Sequence, residues 1–275
     1  MTTVRQPAVA GMFYTANPKA LGREIDQMLE EAIAPQISGS LVALIVPHAG
    51  YTYSGATAAH AYKLLQNNPV QTVIVISPSH REYFKGISVF NGDAYRTPLG
   101  NITLDSTLIN DLMKDENIIE LSDRGHLAEH AIEVQLPFLQ KVLGDFKLVP
   151  VIMGDQNREL CYHLGKKLAK VLKGKSALIV ASSDLSHYHT ADEADALDKI
   201  TIDDLIKFDQ EQLARDIENA CTEACGGGPI IAALSAAKIL GANHVEILHH
   251  CNSGNITGER DAVVGYLSAA ITREN

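Results

Sequence analysis

Three apolar runs in this chain end on residues that can bind metal or move protons. Leu41–Val46 runs into Pro47-His48-Ala49-Gly50-Tyr51. Thr72–Ile76 runs into Ser77-Pro78-Ser79-His80, and Ala177–Ala181 into Ser182-Ser183-Asp184-Leu185-Ser186-His187. Imidazole is the commonest transition-metal ligand and titrates near neutrality. A carboxylate beside a histidine orients the ring and raises its basicity. His48, His80, Asp184 and His187 brought to one place would therefore make a metal site, or at the least a catalytic one.

Other residues offer related chemistry. Asp184 and His187 are three apart, so a helical first turn would put them on one side. Cys225 precedes Gly226-Gly227-Gly228-Pro229, a break that starts a helix. A thiol near helix N-terminal amides has a lowered pKa, which suits either a nucleophile or a ligand. His126, Glu129, His130 and Glu133 have i, i+3 and i, i+4 spacing and read as a solvated first turn. His130 is the one read as a substrate contact or a support behind a ligand. The run is not His-Glu-x-x-His, so it does not indicate a zinc protease. Tyr51, Tyr53, Ser54 and Arg96 are candidates to line a pocket. His189 reads as a bystander and Cys221 as a core thiol. His249-His250-Cys251 alternate faces if extended, so they cannot easily share one metal, and they read as edge strand. Ser183 or Ser186 in a Ser-His-Asp triad lacks the G-x-S-x-G elbow.

Such side chains need a scaffold that delivers them together. Continuous Val/Ile/Leu runs read as strands buried on both faces, as in a parallel sheet covered by helices. In an open parallel sheet the ligand site lies beyond the carboxyl ends of the strands. Asn17-Pro18 starts a helix over 18–34 as cap and N1 residue, and Thr52 or Ser54 caps the next. Further strands are expected over 147–153, 244–250 and 262–270, with the last two forming an antiparallel edge. Residues 86–104 read as a hairpin-like excursion. Asp105 caps a helix to about Asn117. Helices follow over 157–173, 190–208, 210–220 and 229–240. Pro137 falls within another that holds Ile132, Leu136, Phe138 and Leu139. Strand and helix alternate, which predicts one domain over 1–275, a three-layer α/β/α sandwich with a mixed, largely parallel sheet.

Composition sets limits. The 275 residues carry 23 basic and 33 acidic side chains, a net charge of −10. No basic stripe stands out in the sequence, so nucleic acid is not an expected partner. The N-terminus lacks an apolar signal-like region and no run reaches the ~20 residues of a membrane span, so a cytoplasmic protein without membrane contact is expected. Four cysteines with no C-x2-C pair suggest thiols or ligands rather than disulfides.

Seven segments jointly resemble the Memo family, whose fold is similar to that of the class III extradiol ring-cleavage dioxygenases. They are Arg5-Gln-Pro-Ala-Val-Ala-Gly-Met-Phe-Tyr14, Pro47-His-Ala-Gly-Tyr-Thr-Tyr-Ser-Gly55, Ser77-Pro-Ser-His80, Glu129-His-Ala-Ile-Glu-Val-Gln-Leu-Pro137, Ser182-Ser-Asp-Leu-Ser-His-Tyr188, Ala224-Cys-Gly-Gly-Gly-Pro229 and Val263-Val-Gly-Tyr266. The resemblance spans nearly the whole chain. It implies a metal site from His48, His80 and Cys225. His187 then takes the position of the dioxygenase acid/base, with Asp184 beside it. Those dioxygenases hold non-haem iron on two histidines and a carboxylate. A thiolate in place of the carboxylate is softer and can itself be oxidised. The implied cofactor is Fe(II) or Cu, with Zn compatible, and the implied function is metal-dependent redox chemistry. The alternatives are a peptide- or metabolite-binding module using the same cleft, or a metal carrier or redox sensor. The implied partners are a small molecule or a peptide (phosphorylated in animals), and a radical-SAM protein in the same microbial system. Thr15 and His250 depart from the residues commoner in that family.

Overall fold

In the computed structural model, which describes residues 3–114 and 117–274, the fold is an α/β/α sandwich around a mixed sheet. The strands are β1 (Val4–Arg5), β2 (Ser40–Val46), β3 (Thr72–Pro78), β4 (Ile87–Val89), β5 (Ala94–Thr97), β6 (Gly100–Thr103), β7 (Ile119–Leu121), β8 (Lys147–Met153), β9 (Ala177–Ser182), β10 (His187–His189), β11 (His244–Asn252) and β12 (Val263–Arg273). The main sheet runs β10-β12-β2-β9-β3-β8-β4-β7, with β11 also paired to β12. Its four central strands, β2, β9, β3 and β8, are parallel neighbours. Antiparallel β12 and β4 flank them. All seven positions of β3 are buried, as an unbroken apolar run covered on both faces should be. Each fully buried Val or Ile there contributes roughly 1.5–3 kcal/mol.

The helices are α1 (Pro18–Glu31), α2 (Ala56–Lys63), α3 (Ser106–Met113), α4 (Leu136–Leu143), α5 (Arg158–Leu172), α6 (Ala191–Ile206), α7 (Gln210–Glu218), α8 (Gly227–Ile239) and α9 (Ser253–Thr257). α1, α2 and α4 pack together, and α2 lies on β2, β11 and β12. α8 lies on β2, β3 and β9 and is itself covered by α5 and α7. Every residue of α8 from Gly227 to Ala237 is buried, which its all-round apolar, alanine-rich sequence permits. Among the described residues no helix is long and apolar enough to cross a membrane.

Several ends follow local rules. Asn17 accepts the amides of Lys19 and Ala20, with Pro18 inside the first turn. Asp105 accepts the Leu108 amide, and Thr190 with Glu193 forms a capping box. Four expectations change. α2 is not capped by Thr52 or Ser54: a π turn over Tyr51–Gly55 leads into it, and the Ser54 hydroxyl donates back to Ala49 O. The 86–104 excursion splits, β4 joining the main sheet while β5 and β6 form a small sheet with β1. Asp184 to His187 is not a helical turn but an extended loop entering β10, because Leu185 N and Ser186 O pair with the Gly265 backbone. Cys221 is exposed rather than in the core.

A candidate metal centre at the strand tips

β2, β9 and β3 are adjacent and parallel, so the residues just beyond their carboxyl ends emerge side by side. His48 follows β2, Ser183 and Asp184 follow β9, and His80 follows β3. The His48 and His80 rings lie edge to face, with centroids 5.0 Å apart. Cys225 arrives from the loop that opens α8, and its Sγ is 3.1 Å from His48 Nε2. Gly226 permits this approach, since a Cβ there would stand 2.3 Å from Ser182 O. One donor atom each from His48, His80 and Cys225 lies within 4.8 Å of the others.

The ring of His48 has its tautomer set by a buried chain of hydrogen bonds. Tyr62 donates its hydroxyl to Gln135 Oε1, so Gln135 Nε2 faces Pro47 O and Ser182 Oγ and donates to both. Ser182 spends its one hydroxyl proton on Ala131 O. A hydroxyl with its proton committed can only accept, so His48 Nδ1, 3.0 Å away, must be the donor. His48 Nε2 is left with a lone pair. Burial, followed by the neighbouring His80 and His130, pushes the His48 pKa well below its usual value, which keeps the ring neutral.

His80 is oriented by Glu129. Glu129 Oε1 accepts from His80 Nδ1 at 2.9 Å, and Oε2 accepts the His80 amide at 2.6 Å. His130 Nδ1 lies 3.1 Å from the same Oε1, and the His130 ring is 4.6 Å from that of His80. Burial alone would raise the Glu129 pKa. The hydrogen bonds and charges of His130 and His80 outweigh it and hold the carboxyl far below the usual range. A carboxylate or hydroxyl on Nδ1 with Nε2 free is the arrangement that orients metal-ligating histidines.

The 126–133 segment is therefore not a solvated turn. His126, Glu129 and Glu133 are almost fully buried, and His130 is 9% exposed. Arg5 decides this: it donates to Glu133 and to the carbonyls of His126 and Glu129. Glu133 also accepts from Ala8 N, Val9 N and Tyr14 OH, so this buried charge pair is fully hydrogen-bonded.

Cys225 departs from expectation. Burial first, then the charge of Asp184, pushes its thiol pKa up rather than down. The first amides of α8 are spent elsewhere: Gly226 N on Ser183 Oγ, Gly227 N on Ala224 O and Gly228 N on Gln156 Oε1. The pair with neutral His48 is thus a thiol donating to an imidazole, not a thiolate–imidazolium nucleophile. Asp184 accepts the His48 amide at 2.7 Å, donates its own amide to Cys225 Sγ, and has its pKa raised by burial. A thiol packed against the neutral His48 ring and beside His80 forms a donor set that a cation would satisfy by displacing the thiol proton. The donors present fit a soft or borderline transition metal.

His187 begins β10, close enough to His48 and Asp184 to act on both electrostatically. Its amide and the His189 ring both meet Glu223. Tyr51 spends its hydroxyl on Val134 O and packs between Tyr14 and Phe138, bracing the wall beneath the histidines. Tyr53 is exposed, and Arg96 pairs with Asn101 on the β5–β6 hairpin. Sequence reasoning missed Ser182 and Gln135. The only signal was their place beside chemistry-bearing residues, one before Ser183-Asp184 and one two after Glu133.

The sequence model of a family described as Memo-like protein matches residues 5–270. A MEMO1 family protein of Methanothermobacter thermautotrophicus is 38% identical over 96% of this chain and 98% of its own length. One from Methanosarcina mazei is 39% identical over 98% of this chain and 99% of its own. An uncharacterized Escherichia coli K12 protein of known crystal structure superposes with TM-score 0.52 at 17% identity. It covers 84% of this chain and 99% of its own, and the likeness is one of fold.

Proposed function

The chain belongs to the Memo family, and on that premise we propose that it holds Fe(II) or Cu on His48, His80 and Cys225 for oxidoreductase chemistry in the cleft beyond the sheet. One observation carries this reading: both imidazoles commit Nδ1 to a fixed partner, leaving Nε2 as the nitrogen available beside the thiol. A metal bound there would supply a one-electron couple and an open coordination position for an oxygen-donor substrate. The chain's own residues do the rest. His187 moves a proton to or from the ligand, a small molecule or peptide. Asp184 holds the His48 backbone and keeps a carboxyl facing His187. His130, sharing Glu129 with His80, borders the ligand space.

The raised thiol pKa of Cys225 favours a second reading, a metal carrier. Loading must then release a proton and unloading must take one up, so transfer would follow pH. Zn fits this reading as well as Cu.

Anaerobic metal analysis of freshly purified protein tests the site. About one Fe or Cu per chain is expected, lost in Cys225→Ser and His48→Ala. A Cys225→Ser protein that binds metal as tightly as the parent would sink the proposal. Turnover under O2 after Fe(II) loading supports the oxidoreductase. Transfer to an acceptor chelate without turnover supports the carrier.

A further inference from the structure

Behind the loop that carries Asp184 and His187 lies a buried carboxylate that the proposed chemistry does not use. Asp198, on α6, is fully buried, and among the described residues its ion-pair partner is His250 rather than a Lys or Arg. Its Oδ1 accepts the Ser186 amide at 3.0 Å, and its Oδ2 accepts from His250 Nε2 at 3.0 Å. His250 stands on the edge strand β11, with its side chain 24% exposed. The carboxylate fits only because residue 265 of β12 has no side chain: a Cβ there would lie 1.9 Å from Asp198 Oδ2. The Gly265 backbone in turn takes both neighbours of the contact, accepting Leu185 N and donating to Ser186 O. α6 and β12 thus both hold Ser186, and β11 holds Asp198 behind it through His250.

We infer that Asp198 and His250 form a positioning pair that fixes the Asp184–His187 loop, so that His250 at the edge of the sheet sets the aim of His187 in the cleft. The physical reason is stacking of constraints. A loop amide on a neutral acceptor is readily exchanged for water, whereas one on a buried carboxylate is not. That carboxylate stays buried only while the imidazole satisfies its second oxygen. Removing His250 leaves the charge under-satisfied, and the cheapest relief is to admit water at the Ser186 contact. This inference rests on the role proposed for His187, but its geometry is independent of any metal.

Amide hydrogen exchange by NMR on the full chain reads it directly. In Asp198→Ala and in His250→Phe, the Ser186 and His187 amides should exchange about tenfold faster, while β3 and β9 keep their protection. Asp198→Ala opens a void beside Gly265 and is the variant at risk of not folding. His250→Phe, at the half-exposed edge, carries the test in that event. His250→Gln keeps an N–H donor and should restore protection to within about twofold of the parent. The reactivity of the His187 ring towards diethyl pyrocarbonate, read by mass spectrometry relative to His163, should change in His250→Phe and recover in His250→Gln. A purely packing role would follow side-chain size and give no such recovery. Ser186 as protected in His250→Phe as in the parent would overturn the inference, as would equal loss of protection in β9. Co(II) titration of the same proteins keeps the two readings apart. Parent protein that binds no Co(II) sinks the metal centre and leaves the exchange result standing. Normal Co(II) binding with an unchanged loop sinks the positioning pair alone.

Discussion

Two regions of this molecule each contain two histidines and a cysteine, and they are built to opposite ends. At the strand tips are His48, His80 and Cys225. Between α2 and β11 are His60, His249 and Cys251. In the second cluster the two rings stack almost parallel, 4.5 Å between centroids and 7° between planes. Thr57 Oγ1 lies 2.9 Å from His249 Nδ1 and 3.2 Å from Cys251 Sγ, so a hydroxyl sits between the two groups a metal would need to bridge. His60 Nδ1 is engaged by the Ile33 backbone. Among the described residues these atoms do not gather into a group within ligand reach, whereas the cleft set does. Residue type is thus a poor guide to a metal site. What differs is whether the polar partners stand behind the rings or among them.

The sharpest way to break that comparison is to swap each thiol for a hydroxyl. Cys225→Ser should weaken Co(II) or Cu(I) binding by more than about 100-fold, the upper range for losing only an outer partner. Cys251→Ser should leave binding unchanged. Equal effects in a competition titration would make the two clusters equivalent.

Next in size is the hydroxyl behind His48. Ser182→Ala removes the acceptor that selects the tautomer and should cost about 10–100-fold in metal affinity. It also strands Gln135 Nε2 at one of its contacts, so some loss of stability should accompany it. The corresponding change in the other cluster, Thr57→Val, should leave metal affinity unchanged and cost about 1–3 kcal/mol in denaturant unfolding, because His249 and Cys251 lose a buried partner.

The smallest effect is on pH. Burial, then His60 and His250, lower the His249 pKa from 6.5. The unfolded chain therefore binds a proton that the folded chain refuses, and stability falls as pH drops below about 6.5. His48 adds to the same acid limb through burial, but a bound cation would hold it unprotonated. His249→Gln should flatten the acid limb of Tm against pH by about 1–2 °C in metal-free and metal-loaded protein alike. Flattening confined to the metal-free form would mean that the two clusters communicate.

Much of the scaffold is legible in the chain because its causes are local. Buried parallel strands show as unbroken Val/Ile/Leu runs at β2, β3 and β9, and helix starts show at Asn17-Pro18 and Thr190-x-x-Glu193. His48 and His80 could be placed at strand tips on that basis alone. The resemblance to a known family then supplied the grouping with Cys225, which no spacing contains. The 126–133 run misled because its periodicity is that of an exposed turn, and partners distant in sequence, Arg5 more than 120 residues away and His80 among them, make its burial tolerable.

The sequence by itself determined which side chains sit at the ends of which elements, since propensity, capping and burial pattern act over a few residues. Tertiary structure alone decided that β9 lies between β2 and β3, and so which tips are neighbours. It decided that Ser182 and Gln135 stand behind His48 and set its free nitrogen. It also reversed the sign of the Cys225 shift: a helix start favours the thiolate locally, but desolvation and Asp184 act through space and are larger. Electrostatics of this kind depends on what covers a group and what faces it, and both are set by contacts between segments far apart in the chain.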